Sequence, residues 1–190
     1  MIIVYGGAFN PPTKAHMEVY HFLKKNLSFE KFIYLPVSKA YQKNNLEENA
    51  HRFKMLTLMT DRYSDIIVSP LELEDTTYRG TYASLKRIKA LYQKDVAFVM
   101  GADHIANLSN WIKVDALLKE FKIIILNRDS ENLNSIFERH PWFRPYQSSI
   151  IMFNQFHREE SSSKFRETQE ANLLDETVYQ YILQHHLYKR

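Results

Sequence analysis

The sequence predicts an α/β fold of the doubly wound kind, a parallel sheet covered by helices on both faces. Two observations carry that expectation. Six short runs rich in β-branched residues are apolar throughout instead of alternating, as strands buried on both faces are. Between them lie stretches with apolar residues at helical spacing. Strands that alternate with helices are joined by right-handed crossovers, which makes the sheet parallel.

The first run, Ile2 to Tyr5, is followed by a helical pattern carrying Tyr20, Leu23 and Leu27. The second, Phe32 to Leu35, precedes Phe53, Leu56, Met59 and Tyr63. Ile66 to Ser69 is the third, and Leu85, Ile88 and Leu91 mark the helix after it. Val96 to Met100, Lys122 to Leu126 and Ser149 to Phe153 complete the set. The least patterned stretch, residues 129–147 with two prolines and several charges, reads as a surface excursion. A chain of 190 residues with no repeat or low-complexity linker fits one domain over 1–190, its C-terminal helical segment, about 161–190, packed on the rest. Sheets of this kind bind ligands beyond the carboxyl ends of their strands, where the strand order switches. Function is therefore sought in the loops after strands.

Composition narrows the chemistry. Apolar residues at 45% and charged residues at 25% are ordinary for a soluble globular protein. The absence of cysteine removes disulfides, thiolate metal sites and cysteine nucleophiles together. Met1 to Tyr5 carries no basic leader and is too short for a signal peptide or membrane span, so a cytoplasmic location without a membrane partner is expected. The net charge of +3 comes from scattered residues, and no nucleic-acid module is recognisable. No nucleic-acid partner is expected.

Two segments carry polar groups suited to phosphate. The first strand ends in Gly6-Gly7-Ala8-Phe9-Asn10-Pro11-Pro12-Thr13-Lys14-Ala15-His16. Glycines at a strand end let backbone approach a ligand, and a helix start favours anions. Thr13 and His16, three apart, would point toward the same anion. Taken alone, an N-capping Thr13 and a satisfied His16 explain them as well. Near the other end, Ser161-Ser162-Ser163-Lys164-Phe165-Arg166 sets serine hydroxyls at a helix start with Arg166 one turn in, a second anion site.

Together these segments resemble the signatures of the nucleotidyltransferase superfamily: Gly-x-Phe-(Asp/Asn)-Pro with (His/Thr)-x-x-His, and Ile-Ser-Ser-Thr-x-Ile-Arg. Within it the chain is most similar, over nearly its whole length, to the nicotinate and nicotinamide mononucleotide adenylyltransferases. Pro36 to Lys43 with His51-Arg52, Met100-Gly101-Ala102-Asp103 with the downstream Trp111, and the tail Val178 to Tyr188 resemble that family's elements. Departures occur at Thr13, Ala15, Lys39, Ala83, Glu160 and Phe165.

The resemblance implies a Rossmann-like nucleotidyltransferase domain that transfers AMP from ATP to a pyridine mononucleotide, in line and without a covalent intermediate. The backbone of Gly7, Ala8 and Phe9 would hold the reacting phosphates, with His16 donating to non-bridging oxygens and Thr13 contacting the β/γ end. Lys43 would reach in from the loop after the second strand, and Arg166 with Ser161 and Ser163 would hold the leaving pyrophosphate. Gly101 and Asp103 would bind adenosine. Tyr41, Lys43, Trp111 and the backbone near Thr81 and Tyr82 would bind the mononucleotide, its ring stacked on Trp111. Mg²⁺ would ride on the ATP phosphates, with no metal site built from protein ligands. A homo-oligomer is compatible with the resemblance. Rival readings are another adenylyl- or cytidylyltransferase such as the pantetheine-phosphate type, a degenerate paralogue, and a basic nucleotide sensor or RNA binder.

Overall fold

In the computed structural model, which describes residues 1–39, 46–127, 132–154, 156 and 161–189, the chain is α/β. The strands are β1 (Ile2–Gly7), β2 (Lys31–Pro36), β3 (Ile66–Val68), β4 (Val96–Gly101), β5 (Lys122–Leu126) and β6 (Ile150–Phe153), in the sheet order β3-β2-β1-β4-β5-β6. The helices are α1 (Lys14–Asn26), α2 (Asn49–Thr60), α3 (Thr81–Tyr92), α4 (Ile105–Leu108), α5 (Val114–Glu120), α6 (Leu133–Arg139), α7 (Ser162–Thr168) and α8 (Glu176–Gln184). Each apolar run in the sequence is a strand, with small shifts at the ends. None of the helices among the described residues is long and apolar enough to cross a membrane.

Two compact units are distinguishable: Met1–Gly6 with Arg79–Arg158, and Gly7–Tyr78 with Glu159–Arg190. In the first, β1, β4, β5 and β6 pair in parallel, with Val4 opposite Phe98, Val99 opposite Ile124, and Ile124 opposite Ile151. Ile2 to Val4, Val96 to Met100 and Ile123 to Leu126 are buried, as continuous apolar strands should be. β6, at the sheet edge, is only half-buried. The strand order reverses between β1 and β4.

Helix α3 shows where spacing misleads. Leu85 and Ile88 are 0% and 1% exposed, whereas Leu91 is 70% exposed. Steps of three residues drift around a 3.6-residue helix, so Leu91 lies about 120° from Leu85 and leaves the buried face. The stretch read as a surface excursion is also corrected. Over its described residues it forms α6 and the 3-10 segment Pro141–Ser149, and it buries Ile136, Phe137 and Phe143. Charges and prolines interleaved with those residues hide any single period; residues 129–131 lie outside the described ones.

In the second unit β2 pairs with β3 in parallel, Ile33 opposite Ile67. α1 buries Ala15, Val19, Tyr20 and Leu23, one face at helical spacing. Tyr20 stands edge-on to Phe32 at 5.5 Å and to Tyr63 at 5.3 Å, and donates to Asp65 Oδ1 at 2.9 Å. Burial, reinforced by that carboxylate, pushes the Tyr20 phenol up to about 12. Lys24 completes the group, its Nζ 2.5 Å from Asp65 Oδ2. α8 packs on α2, burying Val178 and Ile182.

Core and surface positions of α3 should therefore respond differently. Leu85→Ala is expected to cost about 2–5 kcal/mol in urea unfolding, while Leu91→Ala should stay within about 0.5 kcal/mol. Equal losses would contradict the rotation described for this helix.

Candidate active site

The glycine loop after β1 takes its shape from Phe9. That residue sits at φ 45°, a left-handed conformation rare for a bulky side chain, and is 2% exposed. Its ring folds back over Gly7, where an added Cβ would lie 3.0 Å from the ring. Edge-on contacts to His16 at 5.0 Å and Tyr34 at 5.5 Å fix the ring from the other side. Gly7 is thus demanded by packing against the Phe9 ring.

Thr13 caps α1 and is fully buried. Its backbone N–H donates to His16 Nδ1 at 2.8 Å, and its hydroxyl lies 2.9 Å from the same nitrogen. This is a capping box with histidine in place of the usual glutamate. Because Nδ1 accepts from a backbone N–H, the neutral ring carries its proton on Nε2. His16 is thereby set as an Nε2–H donor at a helix start. Buried there, the Thr13 hydroxyl orients His16.

The loop is held through its acceptors. Arg52, fully buried on α2, donates from Nη1 to the Ala8 carbonyl at 2.8 Å and from Nη2 to the Val37 carbonyl at 2.6 Å. Its Nε reaches the Glu47 carbonyl at 3.0 Å, and Nη2 also reaches Asn49 Oδ1 at 2.6 Å. Burial lowers its pKa from the ordinary value. Two further carbonyls are taken by the C-terminal segment: Arg166 Nη1 donates to Asn10 at 2.5 Å, and Ser162 Oγ to Pro11 at 2.8 Å. Asn10 Oδ1 accepts from the Glu47 N–H at 3.0 Å and the Tyr188 hydroxyl at 2.9 Å. With the carbonyls of Ala8, Asn10 and Pro11 engaged this way, three peptide planes of the loop are fixed.

The serine cluster divides its work. Ser161 caps α7, accepting from the Lys164 N–H at 3.1 Å, and Ser163 accepts from Arg166 Nη2 at 3.1 Å. Arg166 therefore stands braced between Ser163 and the opening loop. Lys39, which departs from the family pattern, forms an ion pair with Glu48. Tyr41 and Lys43 lie outside the described residues.

In the first unit β4 ends at Gly101, and Ala102–His104 forms a 3-10 turn. A Cβ on Gly101 would lie 2.2 Å from Asp103 Oδ1, so the glycine lets the carboxylate fold back over the strand end. That side chain is 71% exposed. It borders a cavity of about 280 Å³ together with the buried Asn127 and with Arg139 and His140 beyond α6. Trp111, half-buried, stands edge-on to Phe98 and His104, each 6.1 Å away. Gly80, at φ 84°, precedes Thr81 at the start of α3, and a Cβ there would lie 2.8 Å from Ile112. The Tyr82 hydroxyl donates to Glu120 Oε2 at 3.0 Å, which raises its pKa. The ring also lies under Lys113 at 5.8 Å.

The second unit thus gathers Gly7, Ala8, Phe9, Thr13, His16, Ser161, Ser163 and Arg166, and the first gathers Thr81, Tyr82, Gly101, Asp103 and Trp111. Sequence reasoning missed Arg52 as a loop anchor, the acceptor role of Asn10, Ser162, and the cavity beside Asp103. The His-Arg pair and the Phe-Asn-Pro triplet flagged the first two, but only as parts of a pattern. Among the described residues no group of three or more His, Asp or Glu side chains could hold a metal ion.

The cytidylyltransferase-like family model matches residues 4–168, which sets the class as nucleotidyltransferase. A protein of Acholeplasma laidlawii named Probable nicotinate-nucleotide adenylyltransferase is 34% identical, the match covering 100% of this chain and 98% of that one. One of the same name from Fusobacterium nucleatum is 30% identical over 82% of this chain and 81% of its own. The chain belongs to the nicotinate-nucleotide adenylyltransferase family. Its fold matches the solved structure of Plasmodium falciparum nicotinic acid mononucleotide adenylyltransferase complexed with NaAD, with a TM-score of 0.77 at 24% identity, over 98% of this chain and 96% of that one.

Replacing Arg52 by lysine keeps the charge but not the fork that meets four acceptors. Arg52→Lys should lower stability by about 1–3 kcal/mol, the cost of buried acceptors left without donors. The comparator is Arg62→Lys, at an exposed ion pair with Asp175, where the change should stay within about 1 kcal/mol. Urea unfolding of both variants decides.

Proposed function

We propose that this protein transfers the adenylyl group of ATP to nicotinate mononucleotide, forming deamido-NAD and pyrophosphate in NAD biosynthesis. The observation that carries the reading is the opening loop, which has its carbonyls tied to the protein and His16 set as an Nε2–H donor at its end. An oxygen of the mononucleotide phosphate attacks the α-phosphorus of ATP, a new P–O–P bridge forms, and the bond to the β-phosphate breaks. No group of the chain need bond covalently, so positioning and charge stabilisation dominate. His16 donates to non-bridging oxygens of the α-phosphoryl as charge builds on them.

Arg166, braced by Ser163, takes the charge of the departing pyrophosphate, and the α7 start around Ser161 supplies further donors. Asp103 accepts from ribose hydroxyls, with adenosine in the neighbouring cavity. The pyridine stacks on Trp111, and its carboxylate meets the first N–H groups of α3 at Thr81 and Tyr82. Mg²⁺ would be held by the ATP phosphates and water and would supply charge neutralisation there, without a protein cage. The nicotinate preference follows the names of the bacterial relatives; a rice relative, 27% identical, is named for both nicotinamide and nicotinic acid mononucleotides.

Incubation with ATP, Mg²⁺ and each mononucleotide tests the reading. Dinucleotide and pyrophosphate should form in equal amounts, faster from nicotinate mononucleotide, and no product from either acceptor would overturn it. His16→Ala should lower kcat about 10²- to 10³-fold with the fold intact, the loss typical of one preorganised donor. A near-normal kcat would leave His16 only its capping role.

For Trp111→Ala the acceptor KM should rise at least about tenfold, equivalent to about 1.4 kcal/mol, with the ATP KM little changed. Trp111→Phe should recover part of the loss. A core tryptophan would show instead a stability drop of about 3–5 kcal/mol without a selective effect on either substrate.

A further inference from the structure

Residues 185–188, after α8, follow an unusual course. His186 and Tyr188 both adopt left-handed conformations, at φ 55° and 56°, which bulky residues take up only when something holds them there. The segment is anchored along its length. Tyr181 hydrogen-bonds His51 of α2 at 2.9 Å, the Leu187 N–H donates to the Ile182 carbonyl at 3.1 Å, and Gln169 Nε2 donates to the Tyr188 carbonyl at 3.3 Å. The Tyr188 ring meets Phe165 edge-on at 6.1 Å.

The hydroxyl of Tyr188 ends 2.9 Å from Asn10 Oδ1. Asn10 is the pivot of the opening loop: its carbonyl holds Arg166 and its side chain holds Glu47. Burial pushes the Tyr188 phenol well above its ordinary range, so the group remains a donor at any working pH.

We infer that Tyr188 is a positioning residue for the transfer: its hydroxyl, acting through Asn10, sets the opening loop and the Arg166 guanidinium that leans on it. The inference rests on the proposed adenylyl transfer for its kinetic consequence and on the loop geometry alone for its structural one. Removing the hydroxyl leaves the ring, the Phe165 contact and the tail in place, and takes from Asn10 Oδ1 the Tyr188 donor while the Glu47 N–H remains. A misplaced loop is felt at the transition state more than in either ground-state complex.

Tyr188→Phe in the full chain is the test, read by kinetics, melting temperature and amide hydrogen exchange. The expected result is a kcat lower by about tenfold, the scale of one lost buried hydrogen bond, with both KM values within roughly twofold. The melting temperature should barely move, while the amides of Ala8, Phe9, Asn10 and Thr13 exchange faster. Unchanged kcat and unchanged exchange would overturn the inference, as would a kcat loss that merely tracks unfolding, because Tyr188 would then be a packing residue. If the wild-type protein makes no dinucleotide, the functional reading fails; the exchange of the four loop amides still decides whether Tyr188 holds the loop.

Discussion

A guanidinium with no exposed surface is costly to keep inside a protein unless its donors are met. Arg52 meets that demand with the carbonyls of Ala8, Val37 and Glu47 and with Asn49 Oδ1. Those acceptors come from the loop after β1, the loop after β2 and the start of α2. The unit Gly7–Tyr78 is drawn together at one side chain. Each loop gains a fixed peptide plane, and the planar fork of arginine makes the three orientations mutually dependent.

The same logic runs through the rest of the second unit. Three carbonyls of the opening loop are held, by Arg52, Arg166 and Ser162. Residues of the two signature segments thus support one another: Arg166 leans on Asn10, and His16 caps α1 with one ring nitrogen while the other carries the proton. Thr13 is the extreme case, a motif residue wholly buried whose effect is exerted through its neighbour.

Glycines mark the close approaches. Gly7 makes room for the Phe9 ring, Gly101 for the Asp103 carboxylate, and Gly80 for Ile112 at a left-handed turn into α3. A side chain at any of these positions would displace the neighbouring ring, carboxylate or aliphatic chain and cost stability.

The inner strands were legible in the sequence because burial on both faces leaves an unbroken apolar run, and the two signature segments were legible because their spacing is local. Family and reaction class follow from those segments in order along the chain. What the sequence could not supply was anything that depends on residues far apart in the chain: the four acceptors of Arg52, the contact between Asn10 and Tyr188, or the cavity beside Asp103. Leu91 shows the same limit within one helix, because three-residue spacing cannot tell a buried stripe from one that drifts into water. By itself the sequence determined the α/β plan, the chemistry excluded by the lack of cysteine, and the residues able to handle phosphate. Only the tertiary structure decided which of them hold one another and the opening loop, because hydrogen-bond donors are shared out in space and not along the chain.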